Sequence, residues 1–295
     1  MSADPVVQAC GLTRRFGERT AVDNVDLTVR SGEILGVLGP NGAGKTTTIR
    51  MLAGIIAPSA GHAVVAGVRA DRDPEALHER IGLLTETPGF YDRLSALANL
   101  RFFASLYSGN LEVERQAARY LQLMGLWQRR DDRVGTVSKG MKQRLALVRA
   151  LVHEPDVLFL DEPTAGLDPE AALEVRAIIA DLSRQGRSIL LCTHLLAEAE
   201  ELCHRISVLS TRLLAAGTPE ELRRRLFRRL TVVTLADDGA LPGNVAAALN
   251  LLPWVRSVVV EEGDLTVEFR DPEITASCLV QAVIDAGGRI TSVSE

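Results

Sequence analysis

Between residues 33 and 52 three kinds of sequence follow one another without a break. Glu33-Ile34-Leu35-Gly36-Val37-Leu38 is a short apolar run, the pattern of a buried strand. Gly39-Pro40-Asn41-Gly42-Ala43-Gly44-Lys45-Thr46 then fits G-x-x-x-x-G-K-[ST]. Residues 47–52 read as the start of a helix. A strand that passes into a helix through a glycine-rich loop forces an α/β unit. Its glycines let backbone N–H groups turn inward around a phosphate chain, and the helix dipole adds positive potential there. Gly39, Pro40, Asn41, Gly42, Ala43, Gly44 and Thr47 are therefore expected to form the cradle. Lys45 supplies a mobile charge for the outer phosphates and Thr46 a hydroxyl for Mg²⁺.

The rest of the chain extends the α/β reading. Residues 6–10, 25–29, 63–66 and 81–84 have strand character. Val157-Leu158-Phe159-Leu160 is apolar throughout, as a parallel strand covered on both faces must be. Residues 188–192 and 206–209 repeat that type, with helices between. From about residue 91 to 130 apolar side chains recur at helical spacing, so a helical insertion is expected at about 88–154. After about residue 225 the pattern changes. Residues 230–236 read as a strand, 245–252 as a helix, and 255–260 and 265–269 as a hairpin around Glu261-Glu262-Gly263-Asp264. Residues 274–286 read as a helix and 289–293 as a strand. That order, βαββαβ, predicts a small α+β, ferredoxin-like domain over 226–295, following a larger domain over 1–225.

Bulk properties narrow the function. A net charge of −5 argues against a nucleic-acid partner. No stretch approaches the eighteen apolar residues of a membrane span, and Met1-Ser2-Ala3-Asp4-Pro5 lacks the basic start and apolar core of a signal peptide. The four cysteines lack C-x-x-C spacing and suit a reducing cytosol. His62, His78, His153 and His204 show no metal-ligand spacing. Among 33 basic residues only Lys45, Lys139 and Lys142 are lysine, and Lys45 is where a slim ammonium is required. The basic run Leu222-Arg223-Arg224-Arg225-Leu226-Phe227-Arg228-Arg229-Leu230 could meet anionic lipid. A solvated helix face pairing with Glu220 and Glu221 is the expected reading.

Chemistry gathers at the ends of the apolar strands. Asp161 follows one directly and fits the second Mg²⁺ ligand that a phosphate loop needs. Glu162 is placed to polarise a water for in-line attack on a γ-phosphate. His194, after the next strand, could contact the γ-phosphate or order that water.

This set resembles the ATP-binding cassette of ABC transporters. Gly39 to Thr46 is similar to Walker A, residues 157–162 to Walker B, Ala165-Gly166-Leu167-Asp168 to the D-loop and His194 to the switch histidine. Val137-Ser138-Lys139-Gly140-Met141 resembles the signature motif, and Phe16 the aromatic that stacks on adenine. The resemblance covers about residues 6–225. It implies an α/β P-loop NTPase core of ABC ATPase type with a helical subdomain insertion, followed by the small ferredoxin-like domain. It implies a Mg²⁺-dependent ATPase that binds ATP and dimerises, as a homodimer or heterodimer, around two ATP. Ser138, Gly140 and Asp168 would then meet the nucleotide held by the partner. A separate integral-membrane permease would carry the transport pathway, with this chain peripheral on the cytoplasmic face. Two departures stand out. Lys139 replaces a glycine of the usual signature. Glu86 stands at the Q-loop glutamine position, where it can approach Mg²⁺ or accept from the attacking water but cannot donate. These variants resemble the branch that powers drug, antibiotic or lipid-like efflux.

Overall fold

The computed structural model describes residues 5–107, 112–226, 230–236, 239–261, 263–269 and 276–294. The chain opens with a long hairpin, β1 (Pro5–Phe16) and β2 (Arg19–Arg30), and continues into β3 (Ile34–Leu38) and α1 (Lys45–Leu52). β4 (Ala60–Val65), β5 (Val68–Arg69), α2 (Pro74–His78) and β6 (Ile81–Leu84) follow. Three helices come next: α3 (Ala96–Ala104), α4 (Val113–Leu123) and α5 (Lys139–Leu151). The chain then alternates through β7 (Val157–Asp161), α6 (Pro169–Arg184), β8 (Ser188–Thr193), α7 (Leu196–Leu202), β9 (Arg205–Ser210) and β10 (Arg212–Gly217). α8 (Pro219–Leu226) begins at the junction between two compact units, Met1–Pro219 and Glu220–Glu295.

In the first unit β2-β1-β4-β5 form an antiparallel sheet, and β10-β9-β3-β8-β7-β6 form a second sheet that is parallel except for β10. Val37, Phe159, Leu190 and Cys192 on one face of the second sheet join Ile49, Met51 and Leu52 of α1 and Val7, Leu12 and Val22 of the first sheet in one core. Leu158, Leu160, Ile189 and Leu191 on the opposite face are equally buried. That double cover is why β7 and β8 are apolar at nearly every position. In this order β8 lies between β3 and β7. The loops after all three strands therefore open at the same carboxyl edge, where α/β sheets bind ligands.

β1 and β2 run further than the five-residue strands expected from alternation. Register shifts between Ala9 and Leu12 and between Leu12 and Arg14, with Gly11 at φ +58°, break the period of two. In the 96–151 segment α3 and α5 start on capping side chains, while α4 has none. Ser95 accepts from the Ala98 N–H at 3.1 Å and Ser138 from the Met141 N–H at 3.2 Å. The far end of α5 is seated on β6: a Cβ built on Gly82 would overlap the Ala150 carbonyl.

The second unit contains β11 (Leu230–Leu235), α9 (Pro242–Asn250), β12 (Val255–Glu261), β13 (Asp264–Phe269), α10 (Ala276–Asp285) and β14 (Ile290–Ser294). Its antiparallel sheet has the order β12-β13-β11-β14, the ferredoxin-like arrangement of a βαββαβ chain. Val233, Leu265 and Val267 bury one face against Val245, Leu249, Leu279 and Val283 of the helices. Thr234 and Thr266, on the other face, are only half-buried. Glu262 in the expected hairpin turn, residues 274–275 of the expected helix, residues 227–229 of the basic run and residues 1–4 lie outside the described residues.

Candidate active site

The loop between β3 and α1 is shaped by backbone crowding. A Cβ on Gly39 would meet the Leu209 carbonyl, and one on Gly44 would sit 2.6 Å from the Ala21 carbonyl. Gly44 also takes φ +104°, which an L side chain rarely adopts. It leads into α1 with no side-chain cap and no acidic residue in the first turn, so the helix N–H groups stay available to an anion. Ala43 is buried and its carbonyl accepts from the Thr211 N–H at 2.8 Å, bracing the loop from behind.

Lys45 is 5% exposed. Its ammonium donates to the Gly39 carbonyl at 2.7 Å and the Pro40 carbonyl at 3.2 Å, and pairs with Glu162 Oε1 at 3.1 Å. Glu162 Oε2 is 2.8 Å from His194 Nδ1. These contacts make one chain, Lys45–Glu162–His194, from the loop to the strand beyond. Glu162 stands at φ +52°, a conformation that costs a non-glycine residue about 1 kcal/mol. Its N–H donates to the Cys192 carbonyl at 2.9 Å, which secures it to β8.

Asp161, 2% exposed, ends β7. Burial pushes its carboxyl above the usual carboxylate range. The Thr46 hydroxyl and Lys45 act against that shift, while the Glu162 and Glu86 charges add to it. Asp161 Oδ1 is buried without a hydrogen-bond partner. A lone buried carboxylate oxygen close to the Thr46 hydroxyl, among other carboxylates, fits a hard divalent cation. No group of three or more His, Cys, Asp or Glu able to hold a metal occurs among the described residues. Such a cation would therefore depend on Thr46, Asp161, phosphate oxygens and water.

A cavity of about 510 Å³ opens above this floor. Asn41, Gly42, Gly44, Lys45, Thr46 and Thr47 line it from the loop, and Glu86, Glu162 and His194 from the strand ends. Phe16, 47% exposed, stands at its edge with the Arg14 guanidinium 4.6 Å from its ring centre. Arg19 also lines the cavity, a residue the motifs did not single out. It is brought there by the β1–β2 turn, where it pairs in register with Phe16.

Ser138, Gly140 and Asp168 are not part of this cavity. Ser138 and Asp168 are exposed and cap α5 and α6, Asp168 accepting from the Ala171 N–H at 2.9 Å. A Cβ on Gly140 would stand 2.9 Å from that of Ala171, and the Lys139 ammonium covers Gly166. The first unit thus carries a phosphate-loop face and a separate face of two capped helix starts.

A family profile described as ABC transporter matches residues 22–165. The chain is 42% identical over 244 residues to a fluoroquinolones export ATP-binding protein of Mycobacterium tuberculosis, covering 80% of this chain and 79% of that one. It is 38% identical over 290 residues to a daunorubicin resistance ATP-binding protein of Streptomyces coeruleorubidus, covering 97% and 90%. Among solved structures, an ATP-binding subunit of an ABC transporter aligns at a TM-score of 0.68 with 32% identity, over 75% of this chain and 92% of that one. A dimeric bacterial ABC transporter cassette aligns at 0.65 over 72% and 98%; at 24% identity it speaks for the fold. This chain belongs to the ATP-binding proteins of the ABC transporter family.

Proposed function

We propose that this chain is the Mg²⁺-dependent ATPase subunit of a drug or antibiotic exporter, acting as a dimer on a separate membrane permease at the cytoplasmic face. The observation that carries the reading is the Lys45–Glu162–His194 chain beneath the uncapped start of α1. It places a cation for phosphate, a carboxylate for water and an imidazole side by side. The loop N–H groups and Lys45 bind the β- and γ-phosphates of ATP. Phe16 offers an exposed ring to adenine. Thr46 and Asp161 would hold Mg²⁺, with Glu86 close to Asp161, and the ion would supply charge neutralisation at the phosphates. Glu162 accepts the proton of the attacking water, and His194 orients that carboxylate through Nδ1. Ser138, Gly140 and Asp168, on their separate face, complete the site of a second copy or a close relative. The cassette would comprise residues 1–225, with the helical segment near 88–154 facing the permease, and residues 226–295 an appended domain.

The efflux assignment draws on the two antibiotic-related relatives. No helix among the described residues is long and apolar enough to cross a membrane, which suits a separate permease. Co-purification of the membrane subunit and its reconstitution in vesicles tests the whole proposal. ATP- and Mg²⁺-dependent movement of a fluoroquinolone or anthracycline, abolished by Glu162→Gln, is expected. Mg²⁺-independent hydrolysis, or movement of neither drug class, would overturn it.

A further inference from the structure

The start of α7 departs from the usual way in which a helix satisfies its first N–H groups. Its N-cap position, Leu195, offers no side-chain cap. Glu198 stands three residues on, where a capping-box glutamate would reach back to the Leu195 N–H. That donor is already taken by Thr193 Oγ1, at 3.0 Å. Glu198 instead accepts a hydrogen bond from Thr164 Oγ1 at 2.7 Å, across the gap to the turn after β7. Both residues are buried, Glu198 to 1% and Thr164 to 6%. Glu198 Oε2 is buried without a hydrogen-bond partner. A carboxylate so placed carries a desolvation cost that the dipole of its own helix offsets only in part.

Thr164 is two residues beyond Glu162 in the same turn, which also closes through the Ala165 N–H to the Glu162 carbonyl at 3.1 Å. The turn after β7 is thus joined by two side-chain bonds to the segment after β8, through Glu162–His194 at the strand end and Thr164–Glu198 in the first turn of α7. We propose that Glu198 is a positioning residue for ATP hydrolysis: through the Thr164 hydroxyl it fixes the turn that presents Glu162 to His194. The inference rests on the reading of Glu162 as the group that activates water.

Steady-state and single-turnover ATPase assays on the full chain test it, with Thr164→Val, Thr164→Ser, Glu162→Gln and the Thr164→Val/Glu162→Gln pair. Valine keeps the shape and deletes the donor. We expect kcat to fall about tenfold, about 1.4 kcal/mol or one hydrogen bond, with KM for ATP within twofold. Thr164→Ser restores kcat to within twofold of the parent. In the Glu162→Gln background Thr164→Val costs nothing further, because the group being positioned is gone. A Thr164→Val kcat within twofold of the parent overturns the inference. So does an equal tenfold loss in both backgrounds, which marks a purely structural bond. Thr164→Ala serves as the second donor deletion if the valine variant does not fold. A Glu162→Gln protein that hydrolyses at the parent rate sinks the reading of Glu162 itself. An inactive Glu162→Gln beside a fully active Thr164→Val sinks the Glu198 inference alone.

Discussion

Replacing Lys45 by methionine removes one charge and keeps most of the stem. Two acceptors, the Gly39 and Pro40 carbonyls, then lose their donor, and Glu162 Oε1 loses its ion-pair partner. At 3.1 Å the ion pair carries about 5 kcal/mol of gross attraction at an effective dielectric of about 20. The two side chains are 6% and 11% exposed, so solvent screens little of it and cannot replace the lost partner. Breaking such a pair from one side costs about 3–5 kcal/mol. Taking the lower end, about 3 kcal/mol, the melting temperature should fall by roughly 6–12 °C at about 2–4 °C per kcal/mol. Glu162→Gln should cost less, about 1–2 kcal/mol, because the ammonium keeps its two carbonyl acceptors and no carboxylate is left unpaired. The double variant leaves no buried charge unpaired. Its loss should be smaller than the sum of the two by about 1–2 kcal/mol. Calorimetry and urea unfolding of the four proteins close this cycle. A Lys45→Met protein that melts within 2 °C of the parent, or strictly additive losses, would refute the argument, because the pair would then contribute no coupling to the fold.

Three further outcomes follow from the cavity. Glu162→Gln should retain ATP affinity while hydrolysis falls by roughly 10²–10⁴-fold, as expected for loss of a general base; single-turnover rates within a few-fold of the parent would contradict that role. Phe16→Ala should weaken ATP binding about tenfold and leave kcat nearly unchanged, since stacking of a base on an aromatic ring contributes about 1–3 kcal/mol; titration with a fluorescent ATP analogue decides it. Glu86→Gln should leave the ATPase rate of the isolated subunit within about tenfold, or about 1.4 kcal/mol, while transport per ATP by the assembled exporter drops further. A parallel drop in both rates would make Glu86 a catalytic group.

The parts of this fold readable from sequence are those whose pattern has a local cause. β7 and β8 stood out because burial on both faces leaves no room for polar side chains, and the loop after β3 because few chemistries need that spacing of glycines, lysine and threonine. The βαββαβ order of the second unit was readable because each element keeps its own period. The full lengths of β1 and β2 were hidden, since bulges near Gly11 and Leu12 reset the alternation. Arg19 carries no motif and reaches the cavity only through the register of a hairpin. The Thr164–Glu198 bond spans 34 residues and depends on Thr193 having claimed the neighbouring donor, a competition visible only in three dimensions.

The glycine at position 82 has a mechanical consequence. α5, thirteen residues long, is a rod of roughly 20 Å at about 1.5 Å per residue. Its C-terminal end presses the Ala150 carbonyl onto β6, where anything larger than hydrogen would hold it off. Its other end carries Ser138 and packs at Gly140 against Ala171 of α6. A stiff rod seated at one end turns a push at the other into a tilt, and an ångström of travel at Ser138 is about 3° about the Gly82 seat. Two residues beyond β6 lies Glu86, so the strand that carries the seat leads into a residue that lines the cavity.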